Sequence, residues 1–183
     1  MDIYRDKIRI VLLDGETITL DKWQEIYGIT GTKIGEHFSY MEYRFRQDIE
    51  EYGELIVNER LIRLLDIYRN LLGEPVRISS FNRSEEKQAE LRRRGYKAAT
   101  YSPHVAKMAA DIDTVSKEET LRNVDVLRQA SRISGVKCRI GFKSYFSLGQ
   151  TFIHVDVCPE YYGISGVYHK EFHPKVWEKQ IEW

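Results

Sequence analysis

Apolar positions along this chain follow two spacings, and each spacing predicts a different element. The clearest helical stripe follows Asn58, where apolar residues recur at three- and four-residue intervals: Leu61, Ile62, Leu64, Leu65, Tyr68, Leu71 and Leu72. This spacing places them on one face of a helix. The Asn58 side chain can cap the first turn, whereas Gly73 favours the end of the helix and Pro75 cannot continue it.

Two serines predict the starts of further helices. Ser84 opens a helix that stops at Gly95. Ser116 and Glu119 have the spacing of a capping box, in which a serine and a glutamate satisfy the free N–H groups of the first turn. The helix that follows is expected to run to about Ile133.

Shorter apolar runs predict strands, and the order of the elements predicts the fold class. The strands are expected at Val76 and Ile78, at 108–115, at Val136, Cys138 and Ile140, and at 152–157. The last two are expected to form a hairpin, with 142–149 as the turn between them. Helices and strands are mixed along the chain, which indicates an α+β fold with a small, mainly antiparallel sheet flanked by helices.

Two of these strands carry polar side chains on one face. Because side chains two residues apart share a face of a strand, His154 and Asp156 point the same way, and so do Asp111 and Asp113. If the two strands are neighbours, Asp111 and His154 converge with His104, which lies in the loop before the first of them. Two imidazoles and a carboxylate are good ligands for zinc. Asp113 is read as structural.

The first 35 residues are expected to form a separate extension. Asp14-Gly15 between two short apolar runs is a strong signal for a hairpin turn, and a short helix is expected at 21–27. The glycine-rich stretch 28–35 then reads as a linker. The predicted organisation is an N-terminal extension, 1–35, packed on a main domain, 36–183.

Composition excludes several classes of function. The 183 residues are 42% hydrophobic and 31% charged, which is ordinary for a globular domain. The 28 basic and 28 acidic residues cancel, so no nucleic-acid partner is expected. No apolar run is long enough to span a membrane, and the two cysteines do not make a disulfide framework.

Several ordered motifs resemble those of the zinc D-Ala-D-Ala carboxypeptidase and peptidoglycan endolysin family, which has a Hedgehog-like fold. Its pattern is S-x-H-x-x-G-x-A-x-D, followed later by a histidine on a strand. The matching residues are Ser102, His104, Ala109, Asp111 and His154-x-Asp156, preceded by the similar stretches 36–43 and 73–81. Together the motifs cover about two-thirds of the chain, from Glu36 to Val157.

The resemblance implies a zinc peptidase that hydrolyses peptidoglycan stem peptides, as a carboxypeptidase or as a phage-type endolysin. It implies one Zn²⁺ per chain, held by His104, Asp111 and His154. Asp156 is the best available general base, although it could instead orient a histidine or form an ion pair. Arg83 is a catalytic candidate that could clamp a substrate carboxylate or polarise the scissile carbonyl, or it could lie on the surface. Ser102 is expected to support the loop or contact substrate.

The chain departs from the family pattern at four positions. Lys107 replaces the glycine three residues after the first histidine, and Ser80 replaces the glycine before the aromatic residue. The family's arginine is either displaced by one position, to Arg83, or replaced by Asn82. Thr151 stands where many relatives carry an acid that serves as general base. These departures keep open a second hypothesis, a non-catalytic zinc domain of the same fold that binds cell-wall peptide or a protein partner, for example in a phage particle.

The sequence also offers other candidate metal ligands and an indication of where the protein is made. Cys158 shares the strand face of His154, and His169 and His173 are four residues apart, although they lack the H-E-x-x-H arrangement. His37 is read as a capping or packing residue. The N-terminus lacks the apolar segment of a secretory signal, so the chain as given is expected to be made in the cytoplasm and to reach the cell wall after release.

Overall fold

The computed structural model describes residues 9–12, 17–19, 35–38, 54–96, 98–162 and 182. The strands are β1 (Arg9–Leu12), β2 (Thr17–Thr19), β3 (Glu54–Val57), β4 (Ile78–Ser80), β5 (Ala109–Asp113), β6 (Arg139–Gly141) and β7 (Phe152–Asp156). The helices are α1 (Glu59–Leu72), α2 (Glu85–Arg93), α3 (Lys117–Ser134) and α4 (Lys143–Phe146), followed by a 3₁₀ turn at Cys158–Tyr161. None of the helices in these ranges is long and apolar enough to cross a bilayer.

A four-stranded antiparallel sheet in the order β4-β5-β7-β6 forms the centre of the molecule. The alternation of side chains divides each strand between two faces. Ile112 on β5 and Ile153 and Val155 on β7 belong to the same buried core as α1 and α3. The predicted α+β class, the small antiparallel sheet with its helices and the pairing of β6 with β7 are confirmed.

Helices α1 and α3 pack against each other and close the apolar side of the sheet. The helix α1 inserts the largest part of its predicted stripe, and Leu61, Leu64 and Leu65 are fully buried. Each such leucine contributes about 2 kcal/mol by leaving water. The opposite face of the sheet carries the polar residues of β5 and β7. It is therefore the face on which we expect a functional site.

Capping residues fix the ends of the helices as the sequence predicted. The Asn58 side chain accepts a hydrogen bond from the Leu61 N–H, and the Ser116 side chain accepts one from Glu119. Gly73 adopts a left-handed conformation, with φ of 73°, immediately after α1. The turn expected at 142–149 contains the short helix α4.

A second, smaller sheet contains the N-terminal hairpin. The expected pairing of β1 with β2 is antiparallel, and β3 adds to the other edge of β1 as a parallel strand that the pattern did not predict. Because β3 leads directly into α1, this sheet is joined through the backbone to the main domain. The helix expected at 21–27, most of the 28–35 linker and the tail after Tyr162, except Glu182, lie outside the described residues.

The loop that precedes β5 turns tightly before it enters the sheet. The N–H groups of Ala106, Lys107 and Met108 donate to the carbonyls of Ser102, His104 and Pro103, respectively. Lys107 has a φ of 63°, the one positive value among the non-glycine residues of the described ranges. This is the position at which the family pattern has glycine, so the departure leaves a lysine in a conformation that glycine adopts without strain.

We predict that Lys107→Gly is more stable than Lys107→Ala by about 1 kcal/mol, because both remove the side chain but only glycine relieves the left-handed backbone. Urea denaturation of the two variants measures the difference. Equal stability, or a more stable alanine variant, would contradict a strained backbone at this position. Both variants should be compared free of metal, so that changes in ligand binding do not contribute.

Candidate metal centre

Three side chains from separate parts of the chain meet on the polar face of the sheet. His104 comes from the loop before β5, Asp111 from β5 and His154 from β7, where it stands directly opposite Asp111 in the ladder. Asp111 Oδ1 lies 3.1 Å from His104 Nε2 and 3.0 Å from His154 Nδ1, and the two nitrogens are 3.2 Å apart. The strands β5 and β7 are neighbours, and the three side chains converge, as the alternation of side chains predicted.

Hydrogen bonds on the far side of each imidazole determine which nitrogen carries hydrogen. His104 Nδ1 lies 2.5 Å from the carbonyl oxygen of Phe81, which can only accept, so Nδ1 donates and Nε2 keeps its lone pair. His154 Nε2 lies 3.2 Å from Asp156 Oδ2, which likewise accepts. With both imidazoles neutral, two nitrogen lone pairs and one carboxylate oxygen therefore face one point.

Three acceptors that face one another need a shared cation. His104 and His154 are only 3% and 6% exposed, so little water reaches them to separate the lone pairs. Two ligand atoms at about 2.0–2.1 Å from a tetrahedral zinc ion lie about 3.3 Å apart, which is close to the separations here. Within the described part of the chain, these residues therefore fit three ligands of a tetrahedral zinc site. Within the described residues, His104, Asp111 and His154 form the group of histidine, cysteine and acidic side chains whose ligand atoms lie close enough together to hold a metal ion.

Without a metal, the cluster holds a proton in its place. Burial lowers the pKa of His154, but hydrogen bonds to Asp111 and Asp156 outweigh it and raise that pKa to about 9. Burial lowers the pKa of His104 below its usual value. Burial also opposes ionisation of Asp111, but the two imidazoles outweigh it and hold the pKa of Asp111 far below its usual range. Asp111 thus stays a carboxylate beside a protonated His154.

Asp156 lies behind His154, on the ring edge opposite the ligand atom. Its Oδ1 accepts from Arg139 Nε at 2.9 Å and from the Cys158 N–H at 3.1 Å, and its Oδ2 accepts from Arg139 at 2.7 Å. The carboxylate is 0% exposed. Burial raises the pKa of Asp156, but His154 and Arg139 lower it to about 2. Of the three roles left open for Asp156, these contacts match the orientation of a histidine; its role as general base stays a prediction.

Arg83 reaches the centre through Asp111. One guanidinium nitrogen donates to Gln88 Oε1 at 2.8 Å, and the other lies 3.0 Å from Ser80 Oγ and 3.4 Å from Asp111 Oδ2. The Ser80 hydroxyl thus contacts the displaced arginine, which gives this departure from the family pattern a local role. Contact between Arg83 and substrate stays a prediction. Ser102 is buried and its carbonyl accepts from Ala106 in the loop that carries His104, and its role as a loop support or a substrate contact stays a prediction.

Thr151 joins two strand ends. Its hydroxyl donates to the Thr114 carbonyl at 2.9 Å, and the Thr114 hydroxyl donates to the Thr151 carbonyl at 2.6 Å. The position at which many family members carry an acid therefore has a structural contact here. Asp113 shares the Asp111 face of β5, is 34% exposed and forms an ion pair with the exposed Arg77 at 3.2 Å.

Among the described residues, Cys158 does not join this group. Cys158 is buried at the start of the 3₁₀ turn, and burial raises the pKa of its thiol well above the usual value. His37 Nε2 lies 2.7 Å from Asn70 Oδ1 in an exposed contact, and its reading as a capping or packing residue stays a prediction. His169 and His173 lie outside the described residues. Sequence reasoning missed Arg139, although an arginine between Cys138 and Ile140 in an apolar run was a signal for a buried charge.

Comparisons with known proteins add a structural likeness. No protein-family model and no curated protein matches the chain. Among solved structures it resembles the L-Ala D-Glu endopeptidase ChiX of Serratia marcescens, with a TM-score of 0.47 and 18% identity over 55% of this chain and 80% of that one. At this TM-score and identity, the likeness carries no argument about activity.

We predict that zinc affinity rises with pH up to about 9. Zinc must displace the proton on His154, because only a neutral imidazole nitrogen can bind the ion. With a pKa of about 9, the apparent affinity at pH 7 should be about 100-fold below its value above pH 9. The raised pKa also stabilises the metal-free fold below pH 6.5, and this contribution is lost as pH rises through about 9.

Competition with a chromogenic chelator between pH 6 and pH 10 measures this dependence, after correction for protonation of the chelator. An affinity that is flat between pH 7 and pH 9 would show that no proton leaves His154 when zinc binds.

Proposed function

We propose that this chain is a zinc-dependent peptidase that hydrolyses peptide bonds in peptidoglycan stem peptides. The observation that carries the proposal is the convergence of His104 Nε2, Asp111 Oδ1 and His154 Nδ1 within 3.2 Å of one another. The lone pairs of the two histidine nitrogens point to the centre because the other nitrogen of each ring donates a hydrogen bond. Three protein ligands with an open fourth position are typical of catalytic zinc sites, whereas structural sites are closed by four.

The proposed substrate class comes from the sequence motifs. The spacing of Ser102, His104 and Asp111, followed by His154 on a strand, resembles peptidases of peptidoglycan stem peptides. Carboxypeptidase and endopeptidase activities use the same ligand set, so the proposal covers both. The ChiX endopeptidase, whose name gives an L-Ala D-Glu bond as its substrate, is consistent with this class but does not support it independently.

Each residue of the centre has a distinct task in hydrolysis. The chemistry that bound zinc supplies is polarisation of the scissile carbonyl and a lower pKa for a nearby water molecule. His104, Asp111 and His154 would hold the ion. Arg83 would hold Asp111 in place through its 3.4 Å contact and would add positive charge next to the ligands, which favours negative charge that develops on a substrate carbonyl. Asp156 keeps His154 in the tautomer that binds through Nδ1.

Hydrolysis also needs an acceptor for the proton of the attacking water. The polar face of the sheet has two carboxylates that are not ligands, Asp156 and Asp113. Asp156 is sealed from solvent and both its oxygens accept hydrogen bonds, whereas Asp113 is 34% exposed. A general base must touch the water from which it takes a proton. We therefore assign orientation of His154 to Asp156, and we keep Asp113, which pairs with the exposed Arg77 at 3.2 Å, as the candidate proton acceptor to be tested.

Turnover with and without excess zinc separates these two roles. We predict that Asp156→Asn lowers zinc affinity by about 10–100-fold, so that excess zinc restores hydrolysis of a synthetic stem peptide. Asp113→Asn should keep its zinc and lose about 10²–10⁴-fold in turnover at any zinc concentration. Asp156→Asn that stays inactive with a full complement of zinc would instead make Asp156 the base.

A non-catalytic zinc domain that binds cell-wall peptide is the second candidate. It is favoured by Thr151, whose hydroxyl is engaged with Thr114 at the position where an acid is expected. In that case the wild-type protein would bind one zinc ion and a stem peptide without cleaving it. Isothermal titration with the peptide, run beside the hydrolysis assay on the same zinc-loaded sample, distinguishes binding from turnover.

A further inference from the structure

We propose that Arg139 is a positioning residue for the metal centre, which it influences only through Asp156. By holding both carboxylate oxygens of Asp156, Arg139 keeps that group turned towards His154 Nε2 and leaves His154 Nδ1 available as a ligand atom. This inference rests on the zinc site proposed above. It extends the centre to β6, a strand that supplies no ligand.

The contacts run in one line across two strands. Arg139 stands directly opposite Asp156 in the β6–β7 ladder, and Gly141 stands opposite His154. Arg139 Nε donates to Oδ1 at 2.9 Å and to Oδ2 at 3.1 Å, and its NH2 group donates to Oδ2 at 2.7 Å. The same Oδ2 accepts from His154 Nε2 at 3.2 Å. One oxygen is therefore shared between the guanidinium and the imidazole.

Because the contact between Arg139 and Asp156 is buried, its geometry determines how the carboxylate is oriented. Arg139 and Asp156 are 2% and 0% exposed, so no solvent can replace a lost hydrogen bond. A buried ion pair contributes little net stability relative to a well-packed apolar pair, because both charges lose their hydration. What the guanidinium adds is a fixed fork of donors, which sets the plane of the carboxylate. That plane in turn directs an oxygen at His154 Nε2.

Arg139 provides a probe of this arrangement that leaves the Asp156 carboxylate itself in place. Asp156 Oδ1 also accepts from the Cys158 N–H, so changes at Asp156 disturb the 3₁₀ turn as well as the centre. Arg139→Lys retains the charge that balances Asp156 but replaces the rigid fork with a single ammonium group. Arg139→Gln removes the charge as well, and serves as a second, stronger variant.

Zinc affinity of the folded variants is the first measurement. We expect Arg139→Lys to weaken zinc binding about 10-fold and Arg139→Gln by up to about 100-fold, the range found for residues that orient metal ligands. In a double-mutant cycle, adding Arg139→Lys to Asp156→Asn should cause no further loss, because Arg139 acts only through Asp156. Wild-type affinity in Arg139→Lys, or losses that add in the double variant, would overturn the proposal.

Arg128→Lys is a control for loss of an arginine–carboxylate fork away from the centre, at a pair that is more exposed than Arg139 and Asp156. Arg128 also donates to both oxygens of a carboxylate, with Nε and NH2 each 2.8 Å from an oxygen of Glu182, but this pair does not contact a proposed ligand. The control should bind zinc as the wild type does. A loss equal to that of Arg139→Lys would mean that general destabilisation, and not positioning, explains the effect.

The tautomer of His154 provides a readout that needs no zinc. The ¹⁵N chemical shifts of the imidazole, followed on metal-free protein through a pH titration to the neutral ring, should show hydrogen on Nε2 in the wild type, where Asp156 Oδ2 lies 3.2 Å away. Arg139→Gln should shift part of the population to the Nδ1–H form. Unchanged shifts would reject the role of Arg139 even if zinc does bind, whereas a wild type that binds no zinc would reject the proposed function separately.

Discussion

The antiparallel register between β5 and β7 is the constraint on which the site depends. It places Asp111 opposite His154, and the same ladder places Ile112 opposite Ile153 on the apolar face. A slip of one residue would point the side chains of the proposed metal site into the core and the apolar core side chains out of it. Burial of the apolar face against α1 and α3 therefore also fixes the geometry of the polar face.

Given that register, electrostatics explains why the polar face is suited to a cation. A buried carboxylate beside two imidazole lone pairs is unfavourable unless a positive charge lies among them. The Phe81 carbonyl accepts a hydrogen bond from His104, and the Asp156 carboxylate accepts one from His154, each at the nitrogen that points away from the centre. Because these bonds hold the hydrogen on that nitrogen, neither ring can change tautomer to remove a lone pair from the centre. The site is thus left with a proton or a metal ion, and only the metal ion uses all three ligands at once.

Local chemistry made part of this predictable from sequence. Strand parity placed Asp111 and His154, and the caps at Asn58 and Ser116 marked the starts of two helices, because these signals act within a few residues. The role of Arg139 was not predictable, since it depends on which strand stands beside Asp156. The parallel addition of β3 to β1 was missed for the same reason. Motif resemblance supplied the ligand set and a functional hypothesis, but not the contacts of Asp156, Thr151 and Ser80.

The most direct test of a zinc centre is a crystal structure of the zinc-loaded protein, with diffraction recorded on both sides of the zinc absorption edge. We expect one anomalous peak about 2.0–2.2 Å from His104 Nε2, Asp111 Oδ1 and His154 Nδ1, with Asp156 still bonded to His154 Nε2. A zinc-soaked crystal with no peak among these three side chains, or with zinc bound through His154 Nε2, would contradict it.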